Sequence, residues 1–434
     1  MRVLHVIQRY WPFQGGSEGY FQELSESLVA RGHQVTVFTT DAWDLEHFWM
    51  VGKRRVERPA GETYNGVTIH RFPVRRPPLP PIYFRILRRA MAETGDLARH
   101  TPLDITPFLR LGGRLSPWLP SLTAALRALP PGAFDMVHST NITLESPILA
   151  AETYARRAGI PAFITPFVHL GEPGDRRIIR YYTMPHQLAL LQRAACVIVQ
   201  TELEAAALAG LGVPRDHMAK VGVGVHPERV LGGEAARFRA KHSLAPDMPL
   251  VLFVGALARD KGALTLLDAM RRLWAEGVEA RLVLIGSTAL ADFQDAFAGL
   301  PAADRARVLK LGFVSDEEKR DAYAACTVFA MPSRTDTFGI VYLEAWLYDK
   351  PVIGAQAGGV PEVIADGADG YLIRFGDVPA LAAHLRALIA DPALAARLGQ
   401  AGHAKVLREH TWGHKIDRLV QLYEQAVADG RQAG

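Results

Sequence analysis

The sequence predicts an α/β protein made of two Rossmann-like, doubly wound parallel-sheet domains. Three observations carry this. The chain has 434 residues, 49% of them hydrophobic, which is more than one core of ordinary size takes up. It opens with a strand, a glycine-rich loop, a helix and a second strand, and that order requires a parallel sheet. A second series of short apolar runs begins at Pro249, with helix-length segments between them.

The first strand is Val3–Ile7. The loop "QRYWPFQGGSEGY" follows, and Phe21, Leu24, Leu28 and Val29 then recur at helical spacing. Arg31-Gly32-His33 ends that helix before the strand "QVTVFTT". Residues from about 71 to 131 break the alternation. They are rich in proline, arginine and aromatics ("RFPVRRPPLPPIYFRILRRAM") and are expected to form an insertion with one or two amphipathic helices. Strands resume at "DMVHST", "PAFITPFVHL" and "CVIVQT". Glycine and proline cluster between Val223 and Pro249, so the expected N-terminal domain is 1–225 and the C-terminal domain 226–410. Strands of the second domain are expected at "PLVLFVG", "ARLVLIG", "VLKLGFV", "TVFAMPS", "PVIGA" and "GYLI". Residues 411–434 hold a final amphipathic helix and a short polar tail.

A charged fraction of 22% and a net charge of +4 belong to an ordinary globular chain and argue against wholesale disorder. Cys196 and Cys326 both sit in apolar runs. Two cysteines build neither a disulfide framework nor a zinc site, so they read as core thiols in a reducing compartment. The N-terminus lacks the features of a signal peptide, and no stretch of ~18 apolar residues occurs. The expectation is a cytoplasmic protein, with peripheral contact at the inner face of a membrane left open. The charge is uneven: ten arginines lie between Arg71 and Arg127, against Glu93, Asp96 and Asp104.

Candidate chemistry concentrates in "SRTDTFGIVYLEAWLYDKPVIGAQAGGVPEVI", Ser333 to Ile364. A helix is expected to begin near Phe338-Gly339, with Asp336 at its mouth and Glu344 about two turns in. Eight helical residues span ~12 Å, the length of a sugar-diphosphate-ribose unit. A helix start offers unpaired N–H groups suited to phosphate, and Gly339 allows close approach of a ligand. The competing reading makes Asp336 an N-cap and Glu344 a surface residue. In "FVGALARDKG", Arg259 and Lys261 stand at the carboxyl end of a strand, where open α/β sheets bind ligands, and two cations there suit a diphosphate; a solvated loop is the alternative. Gly15 and Gly16 follow the first strand, either as a ligand-approach loop or as an ordinary turn. His169, in "TPFVHLGEPGD", is read at a strand end of the first domain, to polarise a reacting group or to serve structure alone. No metal-ligand spacing is present, so no metal and no cofactor are expected.

Taken together these motifs resemble the family 4 retaining glycosyltransferases, the glycogen-synthase-like group with the GT-B fold, over nearly the whole chain. The resemblance runs through "RGHQVTVFTT", His169, "VGVGVHP", "VGALARDKG", "LGFVSDEEKRDAYAACTVFAMPS", the two spaced acids and "KPVIGAQAGGVPEVI". It implies two Rossmann-like domains facing across a cleft, with the final helix returning to the N-terminal domain, and a sugar nucleotide as donor. By that resemblance Glu344 binds the ribose and Asp336 meets the sugar hydroxyls. Thr337, Phe338 and Gly339 line the donor with backbone groups, Lys261 holds the diphosphate, and Gly15 and Gly16 approach it. Gly312, Phe313 and Val314 contact the base, and His169 lies near the transferred sugar.

Three positions depart from the family pattern. Asp336 stands where glutamate is usual, Ala256 where a diphosphate arginine is usual (leaving Arg259 to supply the charge), and Leu170 where aspartate follows the histidine. The expected acceptor is a carbohydrate or a lipid-linked hydroxyl, in polysaccharide or glycolipid synthesis. The alternative is a non-catalytic GT-B protein that binds a membrane or polyanion through its basic insertion. Nucleic acid is not an expected partner, because acids in the donor motif repel phosphate-rich polymers.

Overall fold

A computed structural model describes residues 1–13, 15–57, 61–76, 80–98, 104–287 and 291–432. It contains two sheets. The first has eight strands: β1 Arg2–Val6, β2 Gln34–Thr40, β3 Gly61–Tyr64, β4 Val67–Phe72, β5 Met136–Thr140, β6 Ala162–Thr165, β7 Cys196–Val199 and β8 Met218–Lys220. Their order across the sheet is β3-β4-β2-β1-β5-β6-β7-β8. Every pairing is parallel except β3 with β4. The second sheet has six parallel strands: β9 Leu250–Val254, β10 Arg281–Ile285, β11 Val308–Gly312, β12 Val328–Ala330, β13 Val352–Ala355 and β14 Gly370–Ile373. Their order is β11-β10-β9-β12-β13-β14. Central strands such as β5, β7 and β9 are buried along their whole length. Parallel strands covered by helices on both faces read in just this way, as unbroken apolar runs. Both expected Rossmann-like domains are therefore present.

By packing, one unit comprises Met1–Val168, Arg176–Val221 and Ile416–Gly434, and the other His169–Asp175 and Gly222–Lys415. The helix Trp412–Gln432 buries Ile416, Leu419, Tyr423 and Val427, a helical stripe. Tyr423 packs edge-on against Phe163 and hydrogen-bonds the buried His138. Cys196 and Cys326 are both buried thiols.

In the second unit the strand order reverses between β9 and β12. Loops leaving the carboxyl ends of neighbouring strands diverge at such a switch point and leave a crevice for ligands. The loops that leave β9 and β12 carry Lys261 and Asp336.

Two expectations need correction. The insertion holds three helices, Pro80–Ala98, Thr106–Gly113 and Pro120–Ala128, among the described residues; residues 77–79 and 99–103 lie outside them. Many of its arginines are spent on structure. Arg71 is buried on β4 and paired with Glu62 at 2.6 Å, Arg88 pairs with the fully buried Glu145, and Arg110 with Glu152 at 3.0 Å. The segment is thus less of a free basic surface than its composition suggests.

Candidate active site

Lys261 owes its position to a tight turn. β9 ends at Val254, and Arg259–Lys261 form a single 3-10 turn before the helix Ala263–Ala275. Gly262 closes that turn at φ 80°, where a Cβ would lie 2.3 Å from the carbonyl oxygen of Pro332. Only glycine permits that approach in that conformation. The turn is clamped to the loop after β12. Arg334 donates from Nε and Nη2 to Asp260 Oδ1 at 2.9 and 2.7 Å, and its backbone N–H bonds the Asp260 carbonyl at 3.0 Å. Its Nη1 reaches Glu172 at 3.1 Å, and Phe375 lies under the guanidinium. One arginine therefore ties together the Lys261 turn, the Asp336 loop and the segment that carries His169.

Lys261 Nζ donates to both oxygens of Asp336, each at 3.0 Å. The two side chains are only 28% and 18% exposed. Burial pulls the Asp336 carboxyl upward, but Lys261, the Ser333 hydroxyl and His169 outweigh it and hold the group below its ordinary value. His169 is pushed down to about 4, first by burial and then by the Lys261 charge, with Asp336 opposing. At neutral pH the Asp336 carboxyl is therefore ionised and the His169 imidazole neutral.

The Gly358-Gly359 pair answers why glycines follow the acids. Gly358 sits at φ 60°, and a Cβ there would lie 2.1 Å from the Asp336 carbonyl oxygen. Its N–H bonds the Gly171 carbonyl at 2.8 Å, and that of Gly359 bonds the Asp336 carbonyl at 2.9 Å. The backbone of this pair holds the Asp336 loop beside the His169 segment.

The helix after Asp336 starts close to the expected Phe338-Gly339. It runs Ile340–Trp346, with Gly339 (φ 92°) as its N-cap residue. Asp336 is therefore not an N-cap; it projects from an irregular loop with Thr337. Phe338 is buried edge-on to His410 at 5.4 Å, so its side chain is a packing anchor. Glu344 lies inside the helix and is 13% exposed. It accepts from Tyr323 Oη at 2.7 Å and Lys319 Nζ at 2.9 Å, so the surface-residue reading fails. Burial lowers the Lys319 ammonium, but Glu344 more than reverses this. Glu344, Lys319 and Tyr323 line a cavity of about 390 Å³ with Arg229, Arg320 and Asp316.

β11 ends at Gly312 (φ 70°), leaving the Phe313 ring 84% exposed and Val314 partly covered ahead of the helix Asp316–Ala325. Arg259 is 67% exposed, with only a 3.8 Å approach to Asp292. Ala256 is exposed.

Gly15 and Gly16 lie in the first unit, as their place after the first strand implies, and open the helix Gly16–Ala30. A Cβ on Gly16 would meet nothing within 4 Å. His169 was expected with the first domain; its segment, His169–Asp175, packs with the second unit. The extended run after β6 carries it beyond the strand end.

Sequence reasoning passed over Arg334, Lys319 and Tyr323. Arg334 lies inside the motif stretch but carries no spacing signal. Lys319 and Tyr323 stand four apart on one helix face, a pattern that acquires meaning only once Glu344 lies beside it. Among the described residues no three His, Cys, Asp or Glu side chains gather as a metal site, and no single helix is long and apolar enough to cross a membrane.

Comparison with known proteins gives the family and the fold. Residues 15–224 match the family described as "Glycosyl transferase 4-like domain" and residues 234–405 "Glycosyl transferases group 1". The chain is 30% identical over 360 residues to D-inositol 3-phosphate glycosyltransferase 1 of Catenulispora acidiphila, covering 78% of this chain and 82% of that protein. It is 32% identical over 203 residues to the α-maltose-1-phosphate synthase of Mycobacterium tuberculosis, a match that spans 44% of this chain and about half (51%) of that enzyme's length. Its fold superposes on sucrose-phosphate synthase from Thermosynechococcus elongatus with a TM-score of 0.73 at 22% identity, covering 99% and 100% of the two chains. Anabaena HepE, solved in complex with UDP-glucose, gives 0.66 at 18% identity with full coverage of both. The chain belongs to the family 4-like glycosyltransferases of the GT-B fold.

Proposed function

We propose that the protein is a retaining, metal-independent glycosyltransferase that moves a sugar from a nucleoside-diphosphate sugar to a hydroxyl acceptor. The observation that carries this is the pairing of Lys261 with both oxygens of Asp336, on loops that leave adjacent strands at the switch point. Glu344 stands ready as a second acceptor group in the neighbouring cavity. Glu344 binds the ribose hydroxyls and the exposed Phe313 ring covers the base. Lys261, with Arg259 close by in the chain, meets the diphosphate, and Asp336 takes the sugar hydroxyls with His169 nearby. A neutral imidazole suits a hydrogen-bonding role better than that of a cation.

In the step itself the C1–O bond to the diphosphate breaks and the acceptor oxygen bonds C1 from the same face. The acceptor proton passes to a phosphate oxygen of the leaving group. Negative charge grows on the nucleoside diphosphate, and preorganised cations stabilise it. Charge from Lys261 and Arg259 makes a divalent ion unnecessary.

Uridine is the first base to test, since HepE was solved with UDP and with UDP-glucose. The acceptor is a carbohydrate or lipid-linked hydroxyl in polysaccharide or glycolipid synthesis. The exposed Ile82 and Ile86, with Arg85 and Arg89 on the same helix, support peripheral contact with the inner face of an anionic membrane.

The test is incubation with UDP-glucose and simple hydroxyl acceptors in EDTA, with product analysis by NMR. The expected product keeps the α anomeric configuration of the donor, and EDTA leaves UDP release unchanged. An inverted product, or release that requires a divalent ion, contradicts the mechanism.

A further inference from the structure

The first unit contains a second cavity, of about 360 Å³, which shares no residue with the site just described. Ligand pockets commonly begin at about this size. Its floor is apolar: Leu119, Leu126, Leu149 and Tyr154 are all at least 96% buried. Its rim is cationic. Arg110, Arg114, Arg127 and Arg157 line it, and no aspartate or glutamate does.

The arginines differ in how far they are already satisfied. Arg110 pairs with Glu152 at 3.0 Å, but that carboxylate also serves Arg193 at 3.2 Å. Arg157 donates to the carbonyls of Arg127, Leu126 and Leu129 at 2.7, 3.2 and 2.6 Å. It thereby caps the end of the helix Pro120–Ala128 and makes no ion pair among the described residues. The Arg114 and Arg127 side chains are on exposed residues and make no ion pair among the described residues. Like charges gathered around one opening repel, and an anion placed between them relieves that repulsion. Guanidinium groups also match phosphate geometry in a bidentate manner.

An inorganic anion uses the rim but leaves the exposed apolar lining, Leu111 and Trp118, wet. A neutral lipid covers that lining but leaves the arginines uncompensated. We infer that this cavity binds a single-chain lipid phosphate, with its phosphate on Arg114 and Arg127 and its alkyl chain on Leu111, Leu115 and Trp118 above the buried leucines. Trp118 lines the same cavity and is 40% exposed, so it reports occupancy.

The experiment titrates the full chain with dodecyl phosphate below its micelle concentration and follows tryptophan emission, with Trp118→Phe to assign the signal. The expected result is a saturable blue shift that Trp118→Phe abolishes. In Arg114→Ala/Arg127→Ala, whose substitutions are exposed and spare the fold, affinity falls at least about tenfold, the loss of one charged hydrogen bond. Inorganic phosphate and dodecyl maltoside give no saturable shift. The inference is overturned if dodecyl phosphate does not saturate, if the double variant binds it equally well, or if dodecyl maltoside or inorganic phosphate matches it.

Discussion

Lys261→Ala lowers kcat/KM for sugar transfer by ~10²–10³-fold, the usual effect of removing one preorganised group from a developing negative charge. The loss has two sources. In the proposed donor complex the diphosphate loses a cation, and Asp336 loses the partner that holds both of its oxygens. The pH dependence separates them. With Lys261 gone the Asp336 carboxyl titrates higher, so the acid limb of the rate profile moves to higher pH. His169 also loses a neighbour that lowers it, and rises from about 4 toward its ordinary value.

Linkage gives the wild-type stability the same sense. Between about 6.5, its unfolded value, and about 4, His169 takes up a proton only when the chain unfolds. Stability therefore falls as the pH drops through that window. Asp336, lowered in the fold, adds to the loss below it. Lys261→Arg keeps the charge but replaces a point donor with a planar fork, and is expected to restore only part of the rate. Steady-state rates across pH 4–9 decide this, and a profile unmoved in Lys261→Ala contradicts the assigned pairing.

The largest stability effect is expected away from the site, at Arg88→Met. Glu145 is fully buried; it accepts from Arg88 and from Gln187 Nε2 at 2.7 Å, with His186 Nε2 3.4 Å away. Burial pulls its carboxyl up, but Arg88 and His186 hold it below the ordinary range. Removing the arginine leaves a buried charge with no cation, at a cost of about 3–5 kcal/mol. The penalty depends on pH. Without Arg88 the folded carboxyl titrates above its unfolded value, so the penalty is absent below about 4.5 and grows as pH rises. Arg88→Met/Glu145→Gln should recover much of it. Denaturant unfolding at pH 4.5 and pH 8 measures both, and equal losses at the two pH values count against the ion pair as the cause.

The contacts that bring Lys261 and Asp336 together were largely legible because their determinants are local. Gly262 and Gly358 stand where backbones touch, and Lys261 and Asp336 follow short buried strands. What escaped depends on partners far apart in sequence. Arg334 acts through Glu172, 162 residues away, and Glu344 through Tyr323 and Lys319 on another helix. The hairpin β3–β4 was missed although its turn signal is present: Asn65-Gly66 both have positive φ, at 47° and 78°, the turn that pairs two strands tightly. The arginine-rich insertion misled in the other direction. Composition counts charges, but burial of Arg71 and Arg88 depends on Glu62 and on Glu145, which lies beyond the insertion.

The most direct test is a thermal-shift comparison of the wild type and Glu344→Ala with UDP, GDP, ADP and dTDP, with and without EDTA. A nucleotide at ~100 times its Kd stabilises the fold by ~2.7 kcal/mol, which a melting curve resolves. The account predicts a marked upward shift with UDP that EDTA does not change and that Glu344→Ala abolishes. The absence of a shift with every nucleotide, or a shift that Glu344→Ala keeps in full, would contradict a donor site built on Lys261, Asp336 and Glu344.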